Sequence, residues 1–246
     1  MLRRIGSLTG HGLAATDGEI GHCRDFLFDD RDWVTRYLVA DTGGWLSGRK
    51  VLISPLALGT PDWGAGRLPI DLTRRQIEEC PPLDEHAPVS REYEIAYHDY
   101  LALPFYRVGS KLWGMHPDPA GVVTPAPAAA EPPPADQIVK EGHLRSCAEV
   151  HGYLLRTGDG GSEAVDDFLI DDTTWAIRFL VADTHRWLPG RQVLVPTRAI
   201  ASVDWVEREI HTDLTVEAIK ASPAYDPTRP VDAEFERRLD DHYGTG

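Results

Sequence analysis

A short polar motif occurs twice in the sequence and contains the groups from which a binding pocket could be built. The first copy runs from Asp41 to Arg49 (DTGGWLSGR) and the second from Asp183 to Arg191 (DTHRWLPGR). In a functional interpretation, the carboxylate and the guanidinium form a polar pocket with the tryptophan as its wall. In a structural interpretation, the aspartate caps a turn and the tryptophan closes one end of a small barrel. Both interpretations are compatible with the repetition, and we favour the structural one.

Adjacent carboxylates are a second set of side chains that could act as acid and base or hold a hard metal ion. Asp29-Asp30 recurs as Asp171-Asp172. Neighbouring residues of a strand point to opposite faces, so the two members of a pair do not face one cleft. We therefore expect these aspartates to lie in β-turns.

The histidines give no stronger indication of chemistry. His-Asp-Tyr at residues 98–100 is nearly repeated as Asp-His-Tyr at residues 241–243. A copied catalytic site would not keep its function if acid and base changed places, so we expect a helix end at the surface. No Cys/His grouping has the spacing of a zinc site, and no G-x-S-x-G motif provides a serine nucleophile. The sequence therefore predicts no catalytic residue, no metal site, no cofactor and no enzymatic activity.

One aromatic stretch in the first half of the chain has no counterpart in the second half. It contains Tyr100, Phe105, Tyr106 and Trp113, and it follows the last helix predicted for the first half. Aromatic side chains bury a large area with few rotatable bonds. The stretch therefore either folds back onto its own barrel or provides anchors for a protein partner, and these four residues are our candidate partner contacts.

The elements that position these groups belong to a tandem repeat. Residues 26–63 and 168–205 align without a gap at an offset of 142, and 20 of the 38 positions are identical. Residues 117–136 separate the two copies, and seven of these twenty residues are proline, which excludes a helix or a central strand. The sequence predicts a first domain over 1–116, a Pro-rich linker over 117–136 and a second domain over 137–246.

Within each copy, short β-rich segments alternate with turns. We predict strands over residues 33–40, 50–53 and 192–195, and an edge strand over 67–72, which contains Pro69. Such short, closely spaced strands predict a mainly β fold of two tandem small antiparallel β-barrels. Short helices flank each barrel, and their predicted N-terminal caps are Thr73, Ser90 and Asp232.

The long repeated string closely resembles the PRC-barrel family. The resemblance is carried by FLFDDRDWVTRYLVADTGGWLSGRKVLISPLALGTPDW, residues 26–63, and by the later segments IDLT and SREYE. It covers most of both halves, and it is greatest to the stand-alone bacterial members. The family is named after the cytoplasmic domain of the photosynthetic reaction-centre H subunit, whose membrane-spanning helix has no counterpart in this sequence. The resemblance implies a small β-barrel that serves as an assembly, scaffold or accessory module.

Composition limits the classes of partner and compartment. The formal net charge is −14, which disfavours nucleic acid because binding to phosphates requires a positive surface. The three separated cysteines, Cys23, Cys80 and Cys147, are typical of a reducing compartment. No signal peptide or transmembrane segment is recognised. We therefore expect a cytoplasmic protein.

The function that the sequence favours is non-enzymatic protein–protein interaction or scaffolding, with an unknown protein partner. The alternative is a sensor that binds a small molecule or an ion between the two barrels. Because two copies of one fold carry two copies of any apolar patch, we also expect barrel–barrel pairing, either within the chain or in a homodimer.

Overall fold

The computed structural model describes residues 1–46, 49–81, 89–107, 109–122, 143–184 and 191–244. It is mainly β structure in two sheets, and the chain divides into two compact units. The N-unit contains Leu8–Ser146 and Thr173–Trp175. The C-unit contains Met1–Ser7, Cys147–Asp172 and Ala176–Gly246. Each unit therefore takes in short segments from the other half of the sequence.

The described strands and helices follow the duplication. Those of the first half are, in order, β1 (Leu2–Arg4), α1 (Ile5–Leu8), β2 (Gly12–Ala15), β3 (Gly18–Asp29), β4 (Val34–Asp41), β5 (Lys50–Ile53), β6 (Arg67–Pro69), α2 (Arg74–Glu78) and α3 (Arg91–Tyr100). Those of the second half are β7 (Leu144–Ser146), α4 (Cys147–Val150), β8 (Leu154–Arg156), β9 (Ser162–Asp171), β10 (Ile177–Asp183), β11 (Gln192–Pro196), β12 (Ile200–Asp204), β13 (Glu209–Thr212), α5 (Val216–Ala221), β14 (Ala224–Tyr225) and α6 (Ala233–Tyr243).

The two sheets share a core order. In the N-unit the order is β5-β4-β3-β2-β6, with β7 paired to β3. In the C-unit it is β12-β13-β8-β9-β10-β11-β14, with β1 paired to β9. Neighbouring strands are antiparallel except β2 with β6 and β8 with β13, which are parallel. These two parallel pairs lie at equivalent places in the repeat.

The prediction of a mainly β fold is confirmed, whereas the predicted barrels are not. The sequence predicts purely antiparallel sheets that close on themselves. Among the described residues no closed barrel is found, and each sheet contains one parallel pair. β3, β4 and β5 lie between β2 and β6 in the sequence. No hairpin turn therefore sets the relative direction of β2 and β6, and they can pair in parallel.

Short-range sequence patterns predict most of the strands and helix starts correctly. The strand predicted over 50–53 and the edge position of β6 are both observed. The predicted caps are present: Ser90 Oγ accepts a hydrogen bond from the backbone N–H of Tyr93 at 3.2 Å, and Asp232 accepts one from Phe235 at 2.8 Å. Thr73 forms the predicted capping box. Short polar side chains at these positions satisfy backbone donors that the first helical turn leaves free.

The pairing of the middle strands is interrupted at equivalent residues. The register of β3 with β4 places Leu27 opposite Tyr37 and Phe28 opposite Thr35, so that Arg36 lacks a partner in the ladder. In the C-unit the register of β9 with β10 skips Arg178 in the same way. A bulge of this kind redirects a side chain relative to the pleat. In the N-unit this arginine becomes part of the site described below.

Two short strands are exchanged between the halves of the sequence. β1 extends the sheet of the C-unit, with Leu2 opposite Asp171 and Arg4 opposite Leu169. β7 extends the sheet of the N-unit, with Leu144 opposite Asp29. The offset of 142 relates β1 to β7 and β9 to β3. The exchange is therefore reciprocal, and the contiguous boundaries expected from the sequence do not anticipate it.

The hydrophobic cores include the exchanged strands. In the C-unit, Leu2 packs in one buried cluster with Leu169 and Phe179. In the N-unit, Leu144 packs in another with Tyr37 and Leu52. Each core therefore needs a residue from the other half of the sequence to bury its apolar area.

Residues 123–142 lie outside the described part of the chain, and so does most of the predicted linker. Among the described residues, no helix is long and apolar enough to cross a membrane.

Candidate functional site

Buried polar side chains converge in the N-unit where α3 packs on the sheet. Arg36 and Tyr37 lie on β4, and Glu94 and His98 lie on one face of α3 because they are four residues apart. Tyr106 reaches the same place from the chain that follows α3. All five side chains are buried. We call this set the polar cluster, and we call residues 100–116, which contain the aromatic stretch, the aromatic arm.

Hydrogen bonds connect the members of the polar cluster. The hydroxyl of Tyr37 lies 3.3 Å from Glu94 Oε2 and 3.0 Å from His98 Nε2. Tyr106 donates a short hydrogen bond to the same oxygen of Glu94. His98 Nδ1 lies 3.1 Å from the carbonyl oxygen of Pro104. A carbonyl only accepts, so Nδ1 carries the hydrogen of the neutral ring and Nε2 is an acceptor.

Burial changes the protonation of this cluster. Removal from solvent lowers the pKa of His98 to about 4, which keeps its ring neutral. Burial also raises the pKa of Glu94, although the hydrogen bond from Tyr106 acts in the opposite direction. Tyr37 has one hydroxyl hydrogen for two acceptors, Glu94 and His98. A protonated Glu94 satisfies both, because it donates to Tyr37 while Tyr37 donates to His98.

Arg36 of β4 binds the aromatic arm through cation–π contacts and a hydrogen bond. Its side chain is 1% exposed, and its guanidinium lies 4.0 Å above the ring of Tyr106 and 5.1 Å from that of Trp113. It donates hydrogen bonds to the carbonyl oxygen of Leu112 and, at 3.1 Å, to Asp32. A buried guanidinium is stabilised by such aromatic faces and acceptors. The arm is thus held by a charged side chain that the bulge in β4 redirects.

A second ion pair holds the arm beside this arginine. Arg107 Nη2 lies 2.9 Å from Oδ2 of the fully buried Asp29. The indole N–H of Trp113 donates to the carbonyl oxygen of Thr174 at 2.8 Å. Asp29, expected in a β-turn, is the last residue of β3. It acts here as a structural counterion.

The candidate partner contacts fall into two groups. Tyr106 and Trp113 are buried within the N-unit, which agrees with the self-packing alternative. Phe105 is partly buried, with the guanidinium of Arg91 3.9 Å above its ring. Tyr100 is 40% exposed and donates to Glu79 at 3.3 Å. A partner therefore has access to Tyr100 and part of Phe105, while the two buried residues anchor the arm.

The expected surface position of His98 is wrong. The comparison of residues 98–100 with 241–243 uses an offset of 143, whereas the helix caps Ser90 and Asp232 correspond at 142. At that offset His98 corresponds to Asp240 rather than to His242. The i,i+4 spacing of Glu94 and His98, on the helix face that also carries Tyr97, is the sequence signal that could have revealed the buried cluster.

In the C-unit, α6 packs on the sheet as α3 does in the N-unit, but without a polar cluster. Phe179 stands at the position of Tyr37, and Asp240 stands at the position of His98. Asp240 forms an exposed ion pair with Arg198 at 2.8 Å, and Arg178 lies 3.8 Å from Glu236. The fold therefore does not require a buried Tyr–Glu–His network. In the N-unit the network accompanies the arm.

The arginine of the repeated Asp–Arg motif binds backbone carbonyls at a helix end in both units, whereas the tryptophan of the second copy, Trp187, lies outside the described residues. Arg49 donates to the carbonyl oxygens of Glu78 and Cys80 at 3.1 and 2.7 Å, at the end of α2. Arg191 donates to the carbonyl oxygen of Ser222, the equivalent residue after α5. Positive charge at a helix C-terminus satisfies free carbonyls. This geometry supports the structural interpretation of the motif.

The second aspartate of each pair is engaged in an ion pair. Asp30 lies 3.1 Å from Arg145, and Asp172 lies 2.7 Å from Arg3. Within the part of the chain that the structure describes, no three His, Cys, Asp or Glu side chains are grouped so that they could hold a metal ion.

The C-unit contains a cleft of about 340 Å³ between β14 and the start of α6. Its apolar walls include Tyr225, Val231 and Phe235, and the side chains of Arg229 and Arg238 line it as well. The guanidinium of Arg238 lies 5.0 Å above the ring of Phe235. The volume falls in the range of small-molecule sites.

Comparison with models of protein families and with curated proteins finds no match for this chain.

Proposed function

We propose that this protein is a non-enzymatic assembly module of the PRC-barrel type, and that the aromatic arm of the N-unit contacts its protein partner. The observation that carries the proposal is the construction of the arm. Buried Arg36 fastens it, while Tyr100 and Met115 remain 40% and 70% exposed. Aromatic and methionine side chains on a rigid support are typical of interaction surfaces.

The burial and hydrogen bonding of the polar cluster support a structural task for it. Glu94 and His98 are the kinds of residue that perform acid–base catalysis, but both are buried and bonded to neighbouring protein groups. A general base must reach a substrate proton within hydrogen-bonding distance. We therefore assign the cluster to positioning the arm. Barrel closure and membership of the PRC-barrel family are parts of this proposal, and they rest on the repeated motif.

The proposed location is the cytoplasm and the proposed partner is a protein. Cys23, Cys80 and Cys147 are free and buried, and burial raises the pKa of Cys80 to about 11, as expected for unreactive thiols. The net charge of −14 disfavours nucleic acid.

The test is quantitative capture of partners from the native host. We compare the wild-type protein with the double variant Tyr100→Ser/Met115→Ser and with Val206→Ser. Val206 is the matched control, because it is 87% exposed and belongs to the C-unit rather than to the arm. We expect the arm variant to lose the specific partner at least about tenfold, as for a hot-spot residue. Equal capture by the arm variant would place the partner contact elsewhere.

The cleft of the C-unit favours a second candidate function, binding of a small anion with a flat apolar group. Arg229 and Arg238 would pair with the anionic group, and Tyr225 and Phe235 would contact the ring. A titration with benzoate followed by amide NMR shifts tests this candidate. It predicts shifts around the cleft that disappear in Arg229→Gln/Arg238→Gln, and it fails if benzoate shifts no cleft residue.

A further inference from the structure

We propose that the strand exchange is also open to a second copy of this chain, so that the protein forms an exchanged homodimer in addition to the closed monomer. In the dimer, the first half of one chain takes β7 from the other chain, and the second half takes β1 in the same way. The inference rests on the exchanged strands and does not depend on the proposed function.

The contact between β1 and the C-unit is specific as well as apolar. Leu2 is 6% exposed in the core of the C-unit. Arg4 forms ion pairs with both Asp166 and Asp167, each at 2.8 Å. Arg3 lies 2.7 Å from Asp172. An apolar anchor with flanking charge pairs fixes the register of a short strand.

The contact between β7 and the N-unit repeats this pattern. Leu144 is 7% exposed in the core of the N-unit, and Arg145 lies 3.1 Å from Asp30. Ser146 donates a hydrogen bond to Asp25. These acceptors, Asp25 and Asp30, stand 142 residues before Asp167 and Asp172. The two exchanged contacts therefore use equivalent strands and equivalent acidic acceptors.

Main-chain hydrogen bonds follow the same correspondence. The N–H of Asp172 donates to the carbonyl oxygen of Met1, and the N–H of Asp30 donates to that of His143, both at 3.0 Å. Trp175, from the second half of the sequence, also bonds to the N-unit. Its carbonyl oxygen accepts a hydrogen bond from the backbone N–H of Thr35 at 2.8 Å. None of these contacts requires both strands to come from one chain. Which copy supplies them is decided by the effective concentration of the two halves within one chain relative to the concentration of other chains.

A second copy is the partner that these contacts fit. In an exchanged dimer every apolar anchor and every Arg–Asp pair of the closed monomer is formed again. A different protein that brought one similar strand would displace β1 or β7 and leave it unpaired. Exchange of identical elements is a common route to dimers for this reason.

The experiment uses two full-length chains with reversed charges. One chain carries Arg3→Asp and Asp30→Arg in its first half, and the other carries Arg145→Asp and Asp172→Arg in its second half. Within either chain both pairs are repulsive. In the mixed dimer one set of halves has the wild-type pairs and the other has both pairs reversed, so every pair is attractive. The chain with all four substitutions is the control, since it restores attraction within one monomer.

The variants are unfolded and refolded together at about 200 µM, where two chains meet often enough to compete with closure within one chain, and their mass is measured by light scattering. We expect the mixture to contain at least tenfold more dimer than the control at equal concentration. We also expect the dimer fraction of the wild-type protein to rise when it is refolded near millimolar concentration. A mixture that stays at the monomer mass while the control folds would overturn the proposal. A mixture that folds although neither chain folds alone would support it.

Discussion

At the scale of single residues, the hydroxyl of Tyr37 decides whether the polar cluster is satisfied. It lies between Glu94 and His98, and both of these side chains are buried. The C-unit has Phe179 at this position, which shows that a phenylalanine fits the surrounding fold. The hydroxyl is therefore present for the cluster rather than for packing.

Replacing Tyr37 by phenylalanine should lower the free energy of unfolding by about 1–3 kcal/mol, because the buried side chains of Glu94 and His98 lose a hydrogen-bond partner. Urea unfolding measures the change. The reverse variant Phe179→Tyr serves as the control, since it introduces a hydroxyl among apolar neighbours and should also destabilise. If Tyr37→Phe leaves stability unchanged, the hydrogen bonds of the cluster do not contribute to it.

Acid should destabilise the protein through His98. Its pKa is lowered to about 4 in the folded protein from an ordinary value of 6.5, so the unfolded chain binds the proton first. Stability contributed by the neutral ring is fully present above pH 6.5 and is lost as pH falls from there towards 4. Between about pH 7 and pH 5 we expect a loss of about 2 kcal/mol.

The variant His98→Gln isolates this effect. The raised pKa of Glu94 acts in the opposite direction, because its folded form binds a proton more readily than the unfolded chain does. The difference between wild type and variant removes that contribution. The wild-type protein should lose more stability than the variant between about pH 7 and pH 5 in urea unfolding. Parallel pH profiles would show that His98 is already charged or exposed.

The buried polar cluster could not be predicted from the sequence, and the reason is physical. A buried histidine and a surface histidine look alike in a helix until the packing face is known. The caps Ser90 and Asp232 correspond at an offset of 142, which pairs His98 with Asp240. What sequence could not show is that Arg36 turns inward while Arg178 stays partly exposed. That difference depends on the arm, which covers only the N-unit.

At the scale of elements, local chemistry was predictable and pairing was not. β5, α3 and the capped helix starts follow from propensity and short-range hydrogen bonding. The parallel pairing of β2 with β6, and the exchange of β1 and β7, depend on contacts between distant residues. A three-residue strand such as β1 has too short a pattern to be recognised before its partner is known.

The exchange predicts that a mutation in one half of the sequence weakens the sheet of the other. Leu2→Ala should remove a buried anchor from the C-unit at a cost of about 2 kcal/mol or more. Hydrogen exchange should then become faster in β9 and β10, while β3 and β4 keep their protection.

Leu144→Ala is the matched variant and should give the opposite pattern. It removes the equivalent anchor from the N-unit, so β3 and β4 should lose protection while β9 and β10 keep theirs. If each variant instead affects the sheet of its own half, the strands are not exchanged.

At the scale of the whole molecule, the duplication was the most informative feature of the sequence. It predicts two similar sheets, and the two observed sheets share strand order, bulges and the one parallel pair. It does not predict how the copies divide their strands, since an exchanged and an unexchanged repeat have the same pattern of residues. The two copies differ in chemistry at the polar cluster, where Phe179 and Asp240 stand at the positions of Tyr37 and His98.

Cutting the chain between the halves tests the whole arrangement. A protease site inserted within residues 123–142 and then cleaved leaves one fragment with β1 and another with β7. Because each sheet then needs a strand from the other fragment, we expect the cleaved protein to keep the mass of the uncut chain by light scattering. High salt should not separate the fragments, since screening weakens the Arg–Asp pairs but leaves Leu2 and Leu144 buried. The double variant Leu2→Asp/Leu144→Asp places a charge in the core of each unit and should release the fragments after cleavage. Fragments that separate in the wild-type protein would mean that each half completes its sheet alone.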